Sequence, residues 1–172
     1  MNIAVIGVGH VGLTISACLA LKNHNVICYD NDDEKISNII EGKMPFYEPK
    51  LHSILLHGMN NHLLRFTTDT QMALQECDIC FIAVGTPIDL DGSVILNPLY
   101  EAIDEIAYYA TDSMIIAIKS TVPVGTTKIL QERISSLSDK RKRKSDVSVV
   151  MNPEFLSEGN SCHDFLYPAR YP

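Results

Sequence analysis

The sequence predicts an α/β fold in which helices cover both faces of a doubly wound, mostly parallel sheet. Three observations carry that expectation. Short β-branched runs alternate with amphipathic stretches, as in successive strand–helix–strand units. A glycine-rich turn, Gly7-Val8-Gly9-His10-Val11-Gly12, separates the first apolar run from the first amphipathic one. An aspartate, Asp30, closes the second β-branched run 21 residues beyond Gly9.

Taken in order, Ile3 to Ile6 is a continuous apolar run before a glycine and reads as a buried first strand. Val11 to Leu21 carries apolar residues at 11, 15, 18 and 19, the stripe of a helix lying on a sheet. Val26 to Tyr29 is the second strand. Asp32 to Ile40 is a helix with Ile36, Ile39 and Ile40 on one side, stopped by Gly42. Pro45-Phe46-Tyr47-Glu48-Pro49 is a turn, Leu51 to Leu56 a short helix and Leu63 to Phe66 a short third strand. Asp69 to Glu76 is a helix, and Ile79 to Val84 a strong strand. Asn97 to Ala110 is a helix, Met114 to Ile118 a strand and Val124 to Leu137 a helix. Asp139 to Asp146 is a polar loop before the sixth strand, Val147 to Met151. Right-handed crossovers between six such strands favour the order 3-2-1-4-5-6.

Composition excludes several classes of function. The chain has 172 residues, enough for one substantial domain. Lys and Arg total 14 against 21 Asp and Glu, and five of the 14 are consecutive, Lys140-Arg141-Lys142-Arg143-Lys144. The rest of the surface is therefore more acidic than the net charge of −7 suggests, which argues against nucleic-acid and membrane-surface binding. No stretch resembles a signal peptide or a bilayer-spanning helix. The five cysteines fall mostly in apolar segments, so free thiols and a cytoplasmic setting are expected.

The glycine turn has the context that a dinucleotide fingerprint requires, a strand before it and a helix after it. Gly7 allows the tight turn, Gly9 lets a diphosphate approach the backbone, and Gly12 lets helix and strand pack closely. Asp30 stands where a carboxylate receives the adenosine ribose hydroxyls and repels a 2′-phosphate. The expected fold is thus of the Rossmann type and the expected cofactor NAD rather than NADP. Three more polar clusters follow strands four, five and six: Gly85-Thr86-Pro87, Lys119-Ser120-Thr121 and Asn152-Pro153-Glu154. Ligands bind beyond the carboxyl ends of strands in open α/β sheets, so a single crevice is expected. Glu154 and Glu158 are four apart and would share one face of a helix. Acid–base or hydroxyl-binding work is one reading of that pair, and a solvated helix start the other.

Several longer runs accompany the glycine motif and Asp30. They are Lys35, Pro45 to Pro49, Val84 to Pro87, Lys119-Ser120-Thr121-Val122-Pro123-Val124-Gly125-Thr126 and Asn152-Pro153-Glu154-Phe155-Leu156-Ser157-Glu158-Gly159. Together, and in this order, they resemble the UDP-glucose/GDP-mannose dehydrogenase family, most of all its UDP-glucose branch. The resemblance implies that Gly7, Gly9, His10, Val11 and Gly12 line the dinucleotide, that Asp30 and Lys35 hold its adenosine ribose, and that Thr86 and Thr121 line the path to the nicotinamide. It implies that Glu154, Phe155, Leu156, Ser157 and Glu158 hold the sugar nucleotide, with Glu158 also touching NAD. Thr121 and Glu158 would organise a catalytic water and assist proton transfer.

In the family, UDP-glucose is oxidised twice to UDP-glucuronate through a thiohemiacetal and a thioester on a cysteine, with two NAD. That cysteine lies in a second domain, beyond the Tyr-Pro-x-Arg stretch that here is Tyr167 to Arg170. On this resemblance residues 1–172 are the NAD-binding domain alone, expected to be inactive unaided and to expose apolar surface. The resemblance implies a homodimer for full-length members. His10 stands where a tyrosine is more usual, and Ser157 where an arginine is common. Two other readings remain: a non-catalytic NAD-binding module, and a dehydrogenase for UDP-N-acetylmannosamine or GDP-mannose.

Other features are expected to be structural. Cys77 and Cys80 have redox-motif spacing, but Cys80 falls inside a strand, so core thiols are expected. Cys162 does not match the family nucleophile. The six histidines show no metal-ligand spacing, and the 140–144 run reads as a solvated loop.

Overall fold

The computed structural model describes residues 1–110, 113–140 and 146–168. Six strands form one sheet: β1 (Asn2–Ile6), β2 (Asn25–Tyr29), β3 (Leu64–Thr67), β4 (Ile79–Ile82), β5 (Ser113–Ile118) and β6 (Asp146–Met151). Their order is β3-β2-β1-β4-β5-β6 and every pairing is parallel, as in a Rossmann-type fold. The helices are α1 (His10–Leu21), α2 (Asp33–Ile40), α3 (Leu51–Asn60), α4 (Thr70–Leu74), α5 (Asn97–Tyr109), α6 (Thr126–Lys140) and α7 (Ser161–Leu166).

Strand alternation divides the core. Ile3 and Val5 pack with Leu13, Ile15, Val26 and Leu55 on one face of the sheet. Ala4 and Ile6 pack with Ile82, Leu99, Ile103, Ile106 and Leu130 on the other. Asp32 and Asp69 start α2 and α4 by accepting hydrogen bonds from the Lys35 and Met72 backbone N–H groups. α5 is held to α6 by the Arg133–Asp104 ion pair, and the Arg133 guanidinium lies over the Tyr100 ring at 5.2 Å from its centroid.

Register matters most for function. Ile6 pairs with Tyr29 and Ile82, Ile82 with Ile118, and Ile118 with Met151. The next residues along, Gly7, Asp30, Ala83, Lys119 and Asn152, therefore leave the sheet from one row. Backbone bonds continue into that row: Gly7 N–H to the Tyr29 carbonyl at 2.8 Å, Ala83 to Ile6 at 2.8 Å, Lys119 to Ile82 at 2.8 Å and Asn152 to Ile118 at 3.0 Å. Every polar cluster singled out in the sequence thus emerges at the same sheet edge.

Three expectations about the elements need correction. α1 is not a one-sided amphipathic helix. Gly12 through Cys18 are all buried, because α3 and α7 cover the side turned away from the sheet. α3 runs to Asn60, four residues past the expected end. α7 was not expected, and Glu154 and Glu158 are not on a helix: residues 152–160 form loop and turn, with α7 beginning only at Ser161. Most of the basic run lies outside the described residues; of it only Lys140, the last residue of α6, is placed. The second half of the 167–170 stretch is likewise outside them.

Because α1 is enclosed on both sides, Leu13→Ala is expected to cost about 2–5 kcal/mol in urea denaturation. Ile129→Ala, at an exposed position on α6, is expected to stay within about 0.5 kcal/mol. Equal losses would contradict the buried placement of α1.

Candidate functional site

The glycine turn brings the end of β1 against the start of α1. Gly7 has φ +97°, and a Cβ there would stand 2.7 Å from the Ala83 carbonyl oxygen. A Cβ on Gly12 would stand 1.9 Å from the Gly7 carbonyl oxygen, so only glycine fits. Gly9 differs: nothing lies within 4 Å of where its Cβ would be. It caps α1 without a side-chain hydrogen bond, and the first helical bond runs from Leu13 N–H to the Gly9 carbonyl at 2.9 Å. The N–H groups of His10, Val11 and Gly12 precede that bond and have no acceptor within the helix. They form a donor set, at the positive end of the helix dipole, beside an open surface.

Asp30 is buried at the end of β2 and braces this turn. Its Oδ2 accepts the Val8 N–H at 2.9 Å and the Lys35 ammonium at 3.1 Å, and its Oδ1 accepts the Asp32 N–H at 3.2 Å. A carboxylate offers about four acceptor positions, so three donors leave room for about one more. The Lys35 ammonium lies beside that position as a further donor.

A cleft of about 420 Å³ opens over the carboxyl ends of β1, β2 and β4, where the strand order reverses. Gly7, Gly9, Asp30, Lys35, Gly85 and Pro87 line it, as do Tyr29 and the α5 residues Pro98, Glu101, Ala102 and Glu105. The α5 wall was not foreseen. Its spacing of three and four residues on one helix face was legible as periodicity, but nothing in the sequence turned that face toward the glycine turn. Glu105 accepts a hydrogen bond from Thr70 at 3.0 Å. Burial, chiefly, pushes the adjacent Tyr29 phenol upward and keeps it protonated.

The remaining predicted residues share the sheet edge but do not line this cleft. Thr86 donates to the Thr121 carbonyl at 3.0 Å, which joins the loops after β4 and β5. Ser120 donates to the Val84 carbonyl at 2.6 Å. The Lys119 ammonium donates to the Pro153 carbonyl at 3.2 Å; desolvation lowers its pKa, and nearby Glu154 opposes that shift. Glu154 accepts the Leu156 N–H at 2.7 Å, and Leu156 packs against the core. The Ser157 N–H donates to Asp164 at 2.9 Å. Phe155, Ser157 and Glu158 are exposed. The expected single crevice is therefore a cleft at β1, β2 and β4, continued by an open shelf at β5 and β6.

Glu48, within the 45–49 turn, has a structural part that sequence reasoning missed. Its carboxylate is buried and accepts three hydrogen bonds: from His10 Nε2 at 3.0 Å, the Gly159 N–H at 2.8 Å and the Ser161 N–H at 3.1 Å. Desolvation disfavours the charged form, but the three donors outweigh it and hold the Glu48 carboxyl below its ordinary value. The partners lie 38, 111 and 113 residues away in sequence, so no local pattern could announce them.

The five cysteines are all buried and free. Burial pushes Cys77 up to about 11 and Cys28 up to about 12, well away from reactivity. The Cys18 thiol is likewise raised, by its hydrogen bond to Cys162 and by burial. Among the described residues no group of His, Cys, Asp and Glu could hold a metal ion, and no helix is long and apolar enough to cross a membrane.

Residues 1–171 match the family model described as the NAD binding domain of the UDP-glucose/GDP-mannose dehydrogenase family. The chain belongs to that family. Its cofactor is NAD. The UDP-glucose 6-dehydrogenase of Pseudomonas aeruginosa is 38% identical over 170 residues, covering 99% of this chain but 38% of that protein. The solved ternary complex of GDP-mannose dehydrogenase from the same organism superposes with a TM-score of 0.89 at 32% identity, over 98% of this chain and 39% of that one. A UDP-D-ManNAc dehydrogenase from Pyrococcus horikoshii gives a TM-score of 0.90 at 28% identity, over 98% and 40%. The chain thus spans somewhat more than a third of the length of these family members.

The Glu48 cluster carries a pH signature. A carboxyl lowered on folding stabilises the protein fully above its unfolded pKa, near 4.5, and loses that contribution as pH falls through the lower folded value. The melting-temperature gap between wild type and Glu48→Gln is therefore expected to be full at neutral pH and to close progressively below about 4.5. A gap that widened on acidification would contradict the cluster.

Proposed function

We propose that this chain is the NAD-binding part of a UDP-glucose 6-dehydrogenase, which oxidises UDP-glucose to UDP-glucuronate in two NAD-dependent steps. The observation that carries the reading is the cleft at the reversal of strand order. There, the open backbone at Gly9 and the buried carboxylate of Asp30 face one cavity.

The residues fit the cofactor part by part. The N–H groups of His10, Val11 and Gly12 would bind the diphosphate, and the absence of a side chain at Gly7, Gly9 and Gly12 would let it approach. Asp30 and Lys35 would share the adenosine ribose in the way their hydrogen bonds allow. Asp30 would repel a 2′-phosphate. The nicotinamide would supply the hydride acceptor. Thr86 and Thr121 would border its end of the site, and their mutual hydrogen bond supports that grouping. Residues Glu154, Phe155, Leu156, Ser157 and Glu158 would meet the sugar nucleotide on the shelf beyond β6. The Thr121 hydroxyl and the Glu158 carboxylate would order a water and assist proton transfer.

The substrate assignment follows from the relative in Pseudomonas aeruginosa named for UDP-glucose and from the resemblance of the longer motifs to that branch. Similar solved structures named for GDP-mannose and UDP-D-ManNAc support a second reading, in which another sugar nucleotide takes that place. Five free, buried thiols support residence in a reducing compartment such as the cytoplasm.

Two measurements test the proposal. Calorimetric titration of the chain should show NAD binding, weakened roughly 10- to 100-fold in Asp30→Ala. Unchanged NAD affinity in a folded variant would contradict the assignment of Asp30. Reduced nicotinamide should form from UDP-glucose and NAD when the chain is mixed with the remaining domains of a relative, and not from the chain alone. Sustained turnover by the chain alone would overturn the half-enzyme reading. Binding without any gain on mixing would favour a non-catalytic NAD-binding module.

A further inference from the structure

The 152–160 segment has no regular secondary structure, and most of its hydrogen bonds are local. Leu156 N–H goes to Glu154, Ser157 N–H to Asp164, and Asn160 N–H to the Ser157 carbonyl at 3.0 Å. None of these bonds sets where the segment stands relative to the glycine turn. The start of the segment is tied to the end of β5 by the Asn152 N–H to Ile118 carbonyl bond and the Lys119 ammonium to Pro153 carbonyl bond, and its far end is tied to the glycine turn through Glu48. One oxygen, Oε2, is shared between His10, the first residue of α1, and the backbone of Gly159, next to Glu158. The other, Oε1, takes the backbone of Ser161, the first residue of α7.

The Glu48 side chain is 1% exposed, so water does not compete for these positions. His10 is itself fixed by a ring contact with Phe46, centroids 4.9 Å apart, two residues from Glu48 in the same turn. On the α7 side the Thr14 and Ser161 hydroxyls, 3.2 Å apart, add a second tie to α1.

We propose that Glu48 is a positioning residue: its carboxylate sets the place of the Glu154–Glu158 segment against the glycine turn. The far half of a bound dinucleotide would thereby depend on Glu48 while the adenosine half would not. The inference rests on the reading of the cleft as an NAD site. The chemistry requires a carboxylate, because all three partners are donors and only an acceptor-only group satisfies them together. A glutamine would turn its NH₂ toward one of those N–H groups and lose that bond.

The test compares two probes in the intact chain: NAD, and ADP, which has the adenosine and diphosphate but no nicotinamide half. Dissociation constants are measured calorimetrically for wild type and Glu48→Gln, with circular dichroism confirming the fold. NAD is expected to weaken about tenfold and ADP by less than about twofold, the loss of one or two charge-assisted hydrogen bonds being felt at the far half alone. Equal weakening of both probes would reduce Glu48 to a general structural role and overturn the proposal, as would no change in either. Absence of NAD binding by the wild type would instead contradict the cofactor site on which the inference rests.

Should Glu48→Gln fail to fold, His10→Phe decides the matter. It retains an aromatic ring against Phe46 and the residue-10 backbone N–H assigned to the diphosphate, and removes the side-chain donor to Glu48. The ratio of NAD to ADP dissociation constants should then rise at least about threefold with one charge-assisted bond gone, and an unchanged ratio would overturn the proposal.

Discussion

The closeness of Gly12 to the Gly7 carbonyl governs how β1 joins α1. With 1.9 Å available where a Cβ would stand, α1 can start only because residue 12 has none. This contact aims the first turn of α1 at the edge where β1, β2 and β4 end. It places three helix N–H groups beside Gly9, the glycine of this turn whose surface is open. Asp30 stabilises the arrangement from the neighbouring strand by accepting the Val8 N–H inside the turn. The carboxylate that recognises a ribose in this reading is thus also part of the support of the diphosphate turn, and the two tasks cannot be separated by mutation at that position alone.

A common physical solution recurs at the sheet edge. Each buried carboxylate there is neutralised by N–H donors rather than left to a single counter-ion. Asp30 takes two backbone N–H groups and an ammonium; Glu48 takes two backbone N–H groups and an imidazole. Backbone donors have no rotamer freedom, so they fix the direction of each carboxylate, and at Glu48 they also favour the charged form. Among the described residues no buried side-chain nitrogen or oxygen lacks a partner. The edge is polar and its buried polar atoms are hydrogen-bonded, which would suit the proposed cofactor site.

Much of this was legible in the sequence, and the division between what was and was not has a physical basis. The strands, their order and the glycine turn follow from local patterning: β-branched runs, a strand–glycine–helix context, and an acid at a fixed distance. Placement of the motifs at one edge follows from parallel topology, since every strand of such a sheet ends on the same side. What escaped depends on contacts between distant segments. α7 has six residues, too few for a periodic signal, and its interior is decided by Thr14 and Cys18 of α1. The expected stripe on α1 was blurred for the same reason, because a helix enclosed by α3 and α7 has no polar face to mark. The four-residue spacing of Glu154 and Glu158 suggested a helix, but Pro153 and Gly159 bracket the segment, and its N–H groups bind side chains instead.

In the proposed function, the turn at residues 7–12 and Asp30 hold two parts of one dinucleotide. Titration of ¹⁵N-labelled protein with NAD, followed by amide chemical shifts, tests it most directly. The largest changes are expected at Gly9, His10 and Val11 and at Asp30 through Lys35, with further changes at Gly85 and along the Pro98–Glu105 face of α5. Changes absent from the glycine turn and from Asp30 through Lys35 would contradict it.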